Sequence, residues 1–450
     1  MDRLPFSRWH RNLVAVAFFG VLFDAVDFAM FGTALPSLSK EFHLDPAQAG
    51  MLATLGLVGA FLGALFWGTI SDYIGRRTAF KATVGIFAVF TGLTAASWNL
   101  ATLGIARFGS NFGLGGEVPV ATTLVSEFMP SSVRGRATGL MMAAFPLGLV
   151  ISALLSLAIV PTYGWRPLFV IGIIPAALLY FVRRHMPESV RYLLSRGRVA
   201  EAQRTVDIIT ESALDSNASS PIVNGTKPLV KNTNLEETIS NNPGVTFLDL
   251  LAPEHRRRTI LLWIVSFCFL WSSNGILFML PTILTQRGFS LSQAIGFQLI
   301  QAIFAVAGYS VCAFLIDRYG RRPVLFFYYF VGAAFHLWFA TANGMWMVVA
   351  IAFVGWVNPG VFGASAVYAA ELYPTRIRAT AVGWFFGIGR IGSFLAPAVI
   401  GYMLANNLGK YVLHTFALTY LLAAIALYLI GIETKGVLLE EIDEEEVPAH

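Results

Sequence analysis

Charge is what this sequence lacks most. Only 13% of its residues are Asp, Glu, Lys or Arg, against 56% hydrophobic, whereas soluble domains carry about 25% charged residues. So little charge excludes a chain that covers its whole surface with water-facing groups. Cysteine is nearly absent as well. Cys268 and Cys312, the only two, both lie in apolar runs, so neither a disulfide framework nor a thiolate metal site is expected. No metal-ligand spacing or nucleophile–base arrangement stands out. The Gly-rich stretch RFGSNFGLGGE from Arg107 lacks the Walker lysine and the preceding soluble strand of a phosphate loop. An enzyme, a cofactor and a metal are therefore not expected. The first apolar run is too long for a cleaved signal, and no small-residue cleavage site follows it.

What the chain has instead is apolar runs long enough to cross a bilayer, which takes about 20 residues. They are expected at 12–36, 47–71, 78–97, 100–124, 135–160 and 166–185, and again at 258–284, 292–316, 322–341, 345–369, 377–402 and 411–431. These twelve spans predict an all-α membrane protein. The net charge of +5 is explained by its distribution. Of the 31 Lys and Arg, 25 fall in the termini and in the loops on their side, and only Lys40, Arg166, Arg287 and Lys410 fall on the other. This is the positive-inside asymmetry. It predicts two cytoplasmic termini, a lipid bilayer as partner and no nucleic acid.

Between the sixth and seventh spans the composition turns polar and rich in Ser, Asn and Pro, which reads as a linker. The segment PESVRYLLSRGRVAEAQRTVDII before it has an amphipathic helical pattern, and the C-terminal EEIDEEEVPAH is an acidic tail. The expected organisation is a six-helix bundle at 1–186, a cytoplasmic linker at 187–257, a second bundle at 258–432 and the tail at 433–450. The two bundles repeat. GTISDYIGRR at 68–77 matches AFLIDRYGRR at 313–322, offset by 245, and EFMPSSVRGRATG at 127–139 matches ELYPTRIRATAVG at 371–383, offset by 244. Two unrelated signatures keeping nearly one spacing indicate an internal duplication, and two like six-helix halves around a midplane site are a transporter design.

These motifs resemble the major facilitator superfamily over nearly the whole chain. GxxxDxxGRR between the second and third spans is similar to that family's signature, and PESVRYLLSRGR resembles its sugar-porter side. FDAVD in the first span, GGEVPVA in the fourth, ELYPTRIRATAVGW and GRIG together are most similar to bacterial niacin permeases. These are close to aromatic-acid:proton symporters, which have glycine where Ala25 stands here. The resemblance implies two pseudo-symmetric bundles that transport by alternating access. The cargo it points to is a small aromatic carboxylate such as nicotinate, taken up with protons by a monomer. A sugar or polyol porter and a benzoate or hydroxybenzoate symporter are the alternatives.

The charges inside the membrane carry the chemistry. An unpaired charge at a helix centre costs about 2.5–3.5 kcal/mol on insertion scales. Asp24, Asp27, Arg107 and Arg390 are therefore expected to be paired, protonated or next to a wet cavity. Asp24 and Asp27, three residues apart, share a helix face. Matching depths suggest an Asp27–Arg107 pair, with Asp24 and Arg390 facing one cavity from opposite halves. Arg390 offers a planar fork to a carboxylate, while Asp24, Asp27 and Glu117 are the candidate proton carriers. Trp271, Asn274, Gln298, Gln301, Trp356, Asn358 and Trp384, with Arg107, complete the candidate cargo site. Aromatic faces can stack on the cargo and amides can bond a ring nitrogen. His336 is expected to be structural. On the cytoplasmic side Asp72, Arg76, Arg77, Glu127 and Arg134 recur as Asp317, Arg321, Arg322, Glu371 and Arg378. The resemblance implies that such groups latch the halves together.

Overall fold

The computed structural model describes residues 6–117, 121, 122, 125, 128–173, 188, 190–216 and 247–435. The first half contains α1 (Arg8–Glu41), α2 (Pro46–Ile74), α3 (Arg76–Ala95), α4 (Leu100–Gly115), α5 (Ser131–Tyr163) and α6 (166–173). Two connecting helices follow, α7 (Val190–Ser195) and α8 (Val199–Ser216). The second half contains α9 (Pro253–Gln286), α10 (Leu291–Tyr319), α11 (Arg321–Thr341), α12 (Met345–Glu371), α13 (Thr375–Ala405) and α14 (Gly409–Ile430). Among the described residues, ten helices are long and apolar enough to cross a membrane. The expected fourth and sixth spans continue into residues outside the described set. Helix ends reach up to five residues beyond the apolar runs, because polar residues at the membrane surface continue the helical hydrogen bonding.

Local chemistry sets where the helices begin. Asp45, Asn99 and Ser290 cap α2, α4 and α10, their side chains accepting from the backbone N–H of Gln48, Thr102 and Gln293 at 2.7, 2.8 and 3.3 Å. At the other end, α2 passes into α3 and α10 into α11 through single glycines. Gly75 and Gly320 hold φ of +92° and +102°, where a side chain would be strained. This explains the glycine of the repeated signature.

The duplication is visible in the packing. A side chain at Gly63 would run into the carbonyl of Phe112, bringing α2 against α4. One at Gly308 would run into the carbonyl of Trp356, bringing α10 against α12. Gly308 follows Gly63 by 245 residues and Trp356 follows Phe112 by 244, the same two offsets as the signatures.

The apolar core is divided unevenly along the axis. We call the end carrying the described termini proximal and the opposite end distal. At the distal end one cluster joins both halves, including Phe31, Leu35, Ala49 and Trp165 with Phe278, Ile283, Ala396 and Phe416. At the proximal end each half has its own core, around Phe80, Phe128 and Met141 in the first and Tyr328, Tyr368 and Leu427 in the second. The halves are thus sealed together distally and packed separately proximally. Backbone contact tightens the seal. Side chains at Gly50 and Gly401 would strike the carbonyls of Pro397 and Pro46, and one at Gly32 would strike that of Leu277.

The boundaries of the linker differ from the sequence expectation. Residues 247–251 form a 3-10 turn whose Leu250 is fully buried in the second half's core, and its carbonyl accepts from the Thr259 hydroxyl at 2.9 Å. Residues 247–257, polar enough to read as linker, therefore already pack on the second half, as do Glu433 and Thr434 of the expected tail. In the linker, α8 buries Ala202, Thr205 and Ile209, one helical stripe. It sits beside the start of α1, where the Trp9 N–H donates to the Ser212 hydroxyl at 3.3 Å.

Candidate functional site

Two ring contacts mark the floor of the distal seal. Phe28 of α1 meets Phe278 of α9, with ring centroids 4.9 Å apart. Phe61 of α2 meets Phe394 of α13 at 6.2 Å, and the Thr54 hydroxyl donates to the Phe394 carbonyl at 2.6 Å. One turn, about 6 Å, to the proximal side of these contacts lie Asp24 on α1, Asn274 on α9 and Arg390 on α13. Polar groups from both halves thus share one level directly beneath the seal. Asp24 and Asn274 are buried and Arg390 is half-buried. The Arg390 guanidinium crosses to the other half and donates to the carbonyl of Ala60 at 3.4 Å. That is a long bond for a cation.

Asp27 and Arg107 lie behind this level, inside the first half. Arg107 Nη1 is 3.5 Å from Asp27 Oδ2, and both side chains are 2% exposed. The guanidinium lies over the rings of Phe31 and Phe169, 4.6 and 5.3 Å from their centroids. Asp27 Oδ1 and Arg107 Nε are buried without a hydrogen-bond partner among the described residues. The pair is buried and, among the described residues, incompletely satisfied, a costly state for two charges. Asn111, which the sequence reading passed over, donates to the Arg107 carbonyl at 3.0 Å and is buried against Gly56. Glu117 is buried where α4 ends.

The other candidates separate into two groups. Trp271 stacks on Phe267, and its indole N–H is buried without a partner among the described residues. Gln298 donates to the Leu277 carbonyl at 3.0 Å, while its Oε1 accepts nothing there. Asn274 donates only weakly within its own helix, to Leu270 at 3.4 Å, and Gln301 is 9% exposed. These four have polar capacity to spare. Trp356 and Asn358 are directed elsewhere. Trp356 stacks on Tyr328 of α11 at 4.8 Å, and Asn358 accepts from the Tyr420 hydroxyl of α14 at 3.2 Å. Both face the rear of the second half rather than the other half. Trp384 lies nearer the proximal end, against Phe247 at 4.4 Å and Trp263 at 6.0 Å. His336 is buried, bonded to the Gly332 carbonyl at 2.7 Å and tilted against the ring of Tyr420 at 4.5 Å.

Arg321 and Arg322 bond within the second half. Arg321 holds Glu371 by its Nε at 3.0 Å and Asp317 more loosely at 3.9 Å. The helix start at Thr375 turns Arg378 back onto the Tyr373 carbonyl at 3.2 Å. Arg322 donates to the Tyr428 carbonyl at 3.2 Å. Glu127 and the side chains of Asp72 and Arg134 lie outside the described residues.

The sequence profile of the family described as "Sugar (and other) transporter" matches residues 13–445. The chain belongs to this family of the major facilitator superfamily. It is similar to a niacin transporter, NiaP, of Acinetobacter baylyi, with 33% identity over 444 residues covering 98% of each chain. It is also similar to a 4-hydroxybenzoate transporter, PcaK, of Pseudomonas aeruginosa, 30% identical over 398 residues, covering 87% of this chain and 85% of that one. Its fold matches the crystal structure of a D-xylose–proton symporter with a TM-score of 0.75, covering 95% of this chain and 99% of the other at 19% identity. The protein is therefore a multi-pass membrane transporter with the major facilitator fold.

Two carboxylates of this transporter escaped the sequence reading. Glu188 accepts from the backbone N–H of Arg77 at 3.0 Å, at the start of α3. Glu433 accepts from those of Arg321 and Arg322 at 2.9 and 3.0 Å, at the start of α11. Each neutralises the positive end of a helix, and each lies against the glycine that precedes it. Glu433 follows Glu188 by 245 residues, so the offset itself was the available signal. Their flanks, PESV and IETK, share only the glutamate.

Proposed function

We propose that the protein carries a small aromatic carboxylate, such as nicotinate, into the cell together with a proton. The distal end would face outward and the proximal end the cytoplasm of a bacterium. The observation that carries this reading is the level beneath the distal seal. There Arg390 of one half, held among the described residues by a long bond to a carbonyl, stands at the depth of Asp24 of the other. A carboxylate is a better acceptor for guanidinium than a neutral carbonyl, so cargo displaces Ala60 from Arg390. Trp271 supplies a face and an N–H for the ring, and Asn274, Gln298 and Gln301 supply amides.

Asp24 and Asp27 are the proton carriers in this reading, with Glu117 nearer the proximal end. A proton on Asp24 removes repulsion between that carboxylate and the incoming anion, so each favours the other's binding. A proton on Asp27 neutralises the partner of Arg107 and loosens the buried pair that ties α1 to α4. One proton with one monovalent anion is electroneutral, so the pH difference drives uptake. The apolar distal cluster and the separate proximal cores fit an inward-open arrangement, from which cargo leaves.

Competition tests the cargo. Uptake of labelled nicotinate into cells expressing the transporter should be inhibited by unlabelled nicotinate and, more weakly, by benzoate and 4-hydroxybenzoate, and not by hexoses. Inhibition by hexoses with none by the acids would replace the anion reading with a sugar one.

A further inference from the structure

A cavity of about 530 Å³ opens at the distal face between the two halves. Pro36, Ser39 and Lys40 line it from α1, Val160 from α5, Thr282 and Gln286 from α9. Its volume falls within the 300–1,000 Å³ range, roughly, of small-molecule sites. It lies beyond the distal seal, so it is separate from the level of Asp24 and Arg390. Lys40 is the one charged residue in its lining. The neighbouring carboxylate, Glu41, is committed elsewhere, to the Arg166 guanidinium and to the indole N–H of Trp165 at 2.7 Å. The hydroxyls of Ser39 and Thr282 are closed off from solvent, so Lys40 and the exposed Gln286 are the side chains that reach a ligand here. Leu44, Val160 and Leu291 give the cavity an apolar side.

We propose that this cavity is a second binding site, for a small organic carboxylate with a flat apolar body, and that its occupancy holds the distal seal shut. Lys40 and Gln286 take the carboxylate, and the apolar side takes the body. Because both halves contribute lining, the cavity exists in this form only while the distal ends are together. A ligand that prefers one arrangement stabilises that arrangement. The anion outside the cell therefore slows reopening when it is abundant, and the transporter limits its own uptake. The inference rests on the proposed cargo class for its physiological ligand, but the binding itself does not require transport.

The test uses the purified full-length protein with labelled benzoate as probe, and vesicles for transport. Wild type should bind benzoate at two classes of site. Arg390→Gln should retain one, and Lys40→Gln or Gln286→Ala should weaken that one by about tenfold, the loss expected for one charge-assisted bond. In vesicles, wild-type uptake should rise and then fall as external benzoate increases. Lys40→Gln should show the same rate at low concentration and a plateau without the fall. Absence of benzoate binding to Arg390→Gln, or binding indifferent to both Lys40→Gln and Gln286→Ala, overturns the second site. Absence of uptake by every variant, with Lys40-dependent binding intact, overturns the cargo reading and leaves the site standing.

Discussion

The two membrane-embedded arginines illustrate how surroundings divide one residue type between two duties. Arg107 lies against the rings of Phe31 and Phe169 and, among the described residues, reaches the carboxylate of Asp27. Arg390 spans the gap between halves and, among the described residues, finds a carbonyl. The first is tied into the first half, whereas the second is poised for an anion. Removing one member of a buried pair leaves the other charged and unsolvated, at a cost of about 3–5 kcal/mol. Arg107→Gln should therefore lower the thermal unfolding temperature in detergent well below wild type. The double variant Arg107→Gln/Asp27→Asn, which removes both charges, should regain most of the loss. A double variant no more stable than the single one would show that the pair does not act as a unit. The meeting of Asp27 with Arg107 was legible from their depths along two helices. The direction of Trp356 and Asn358 was not, because α12 is apolar on every side and its sequence does not mark which face meets the other half.

At the scale of the element, the proximal turns are built twice from the same parts. A glycine at positive φ makes a one-residue connection, two arginines open the next helix, and a distant glutamate closes on their backbone N–H groups. The glycine and arginines are contiguous and were readable as a repeated signature. The glutamates stand 111 and 112 residues along the chain from the N–H groups they accept from, so only three-dimensional proximity exposes them. An anion at a helix start is typically worth about 0.3–1 kcal/mol, and up to about 2 where partly buried. Glu433→Gln and Glu188→Gln should each produce a small loss of thermal stability and faster proteolysis of the linker-side surface, and the two losses should be similar. A loss confined to one of them would mean that the halves do not use the bracket alike. Helix ends were the least readable feature. α1 runs to Glu41 through Pro36 and α9 begins at Pro253, both outside the apolar runs, because hydropathy reports the lipid-facing middle of a helix and not its hydrogen-bonded ends.

For the whole molecule, twelve spans, the duplication and the pseudo-symmetry were all present in the sequence as run lengths and offsets. Which end of the transporter is closed was not, since the choice depends on how the two halves tilt together, which neither run lengths nor offsets record. The distal seal relies on backbone contact at Gly50, Gly401 and Gly32. Gly401→Leu should wedge α13 from α2 and hold the distal end apart, abolishing net uptake while preserving cargo binding from outside. Normal uptake by this variant would mean that the seal is not part of the cycle. The central claim is that carboxylates kept in the membrane couple proton entry to entry of an organic anion. Its most direct test is accumulation of labelled nicotinate in vesicles under an imposed pH difference, with and without a protonophore. The account predicts that an acidic exterior drives nicotinate above its external concentration, that the protonophore abolishes this, and that Asp24→Asn/Asp27→Asn exchanges cargo without concentrating it. Accumulation that ignores the pH difference, or that survives in the double variant, would contradict it.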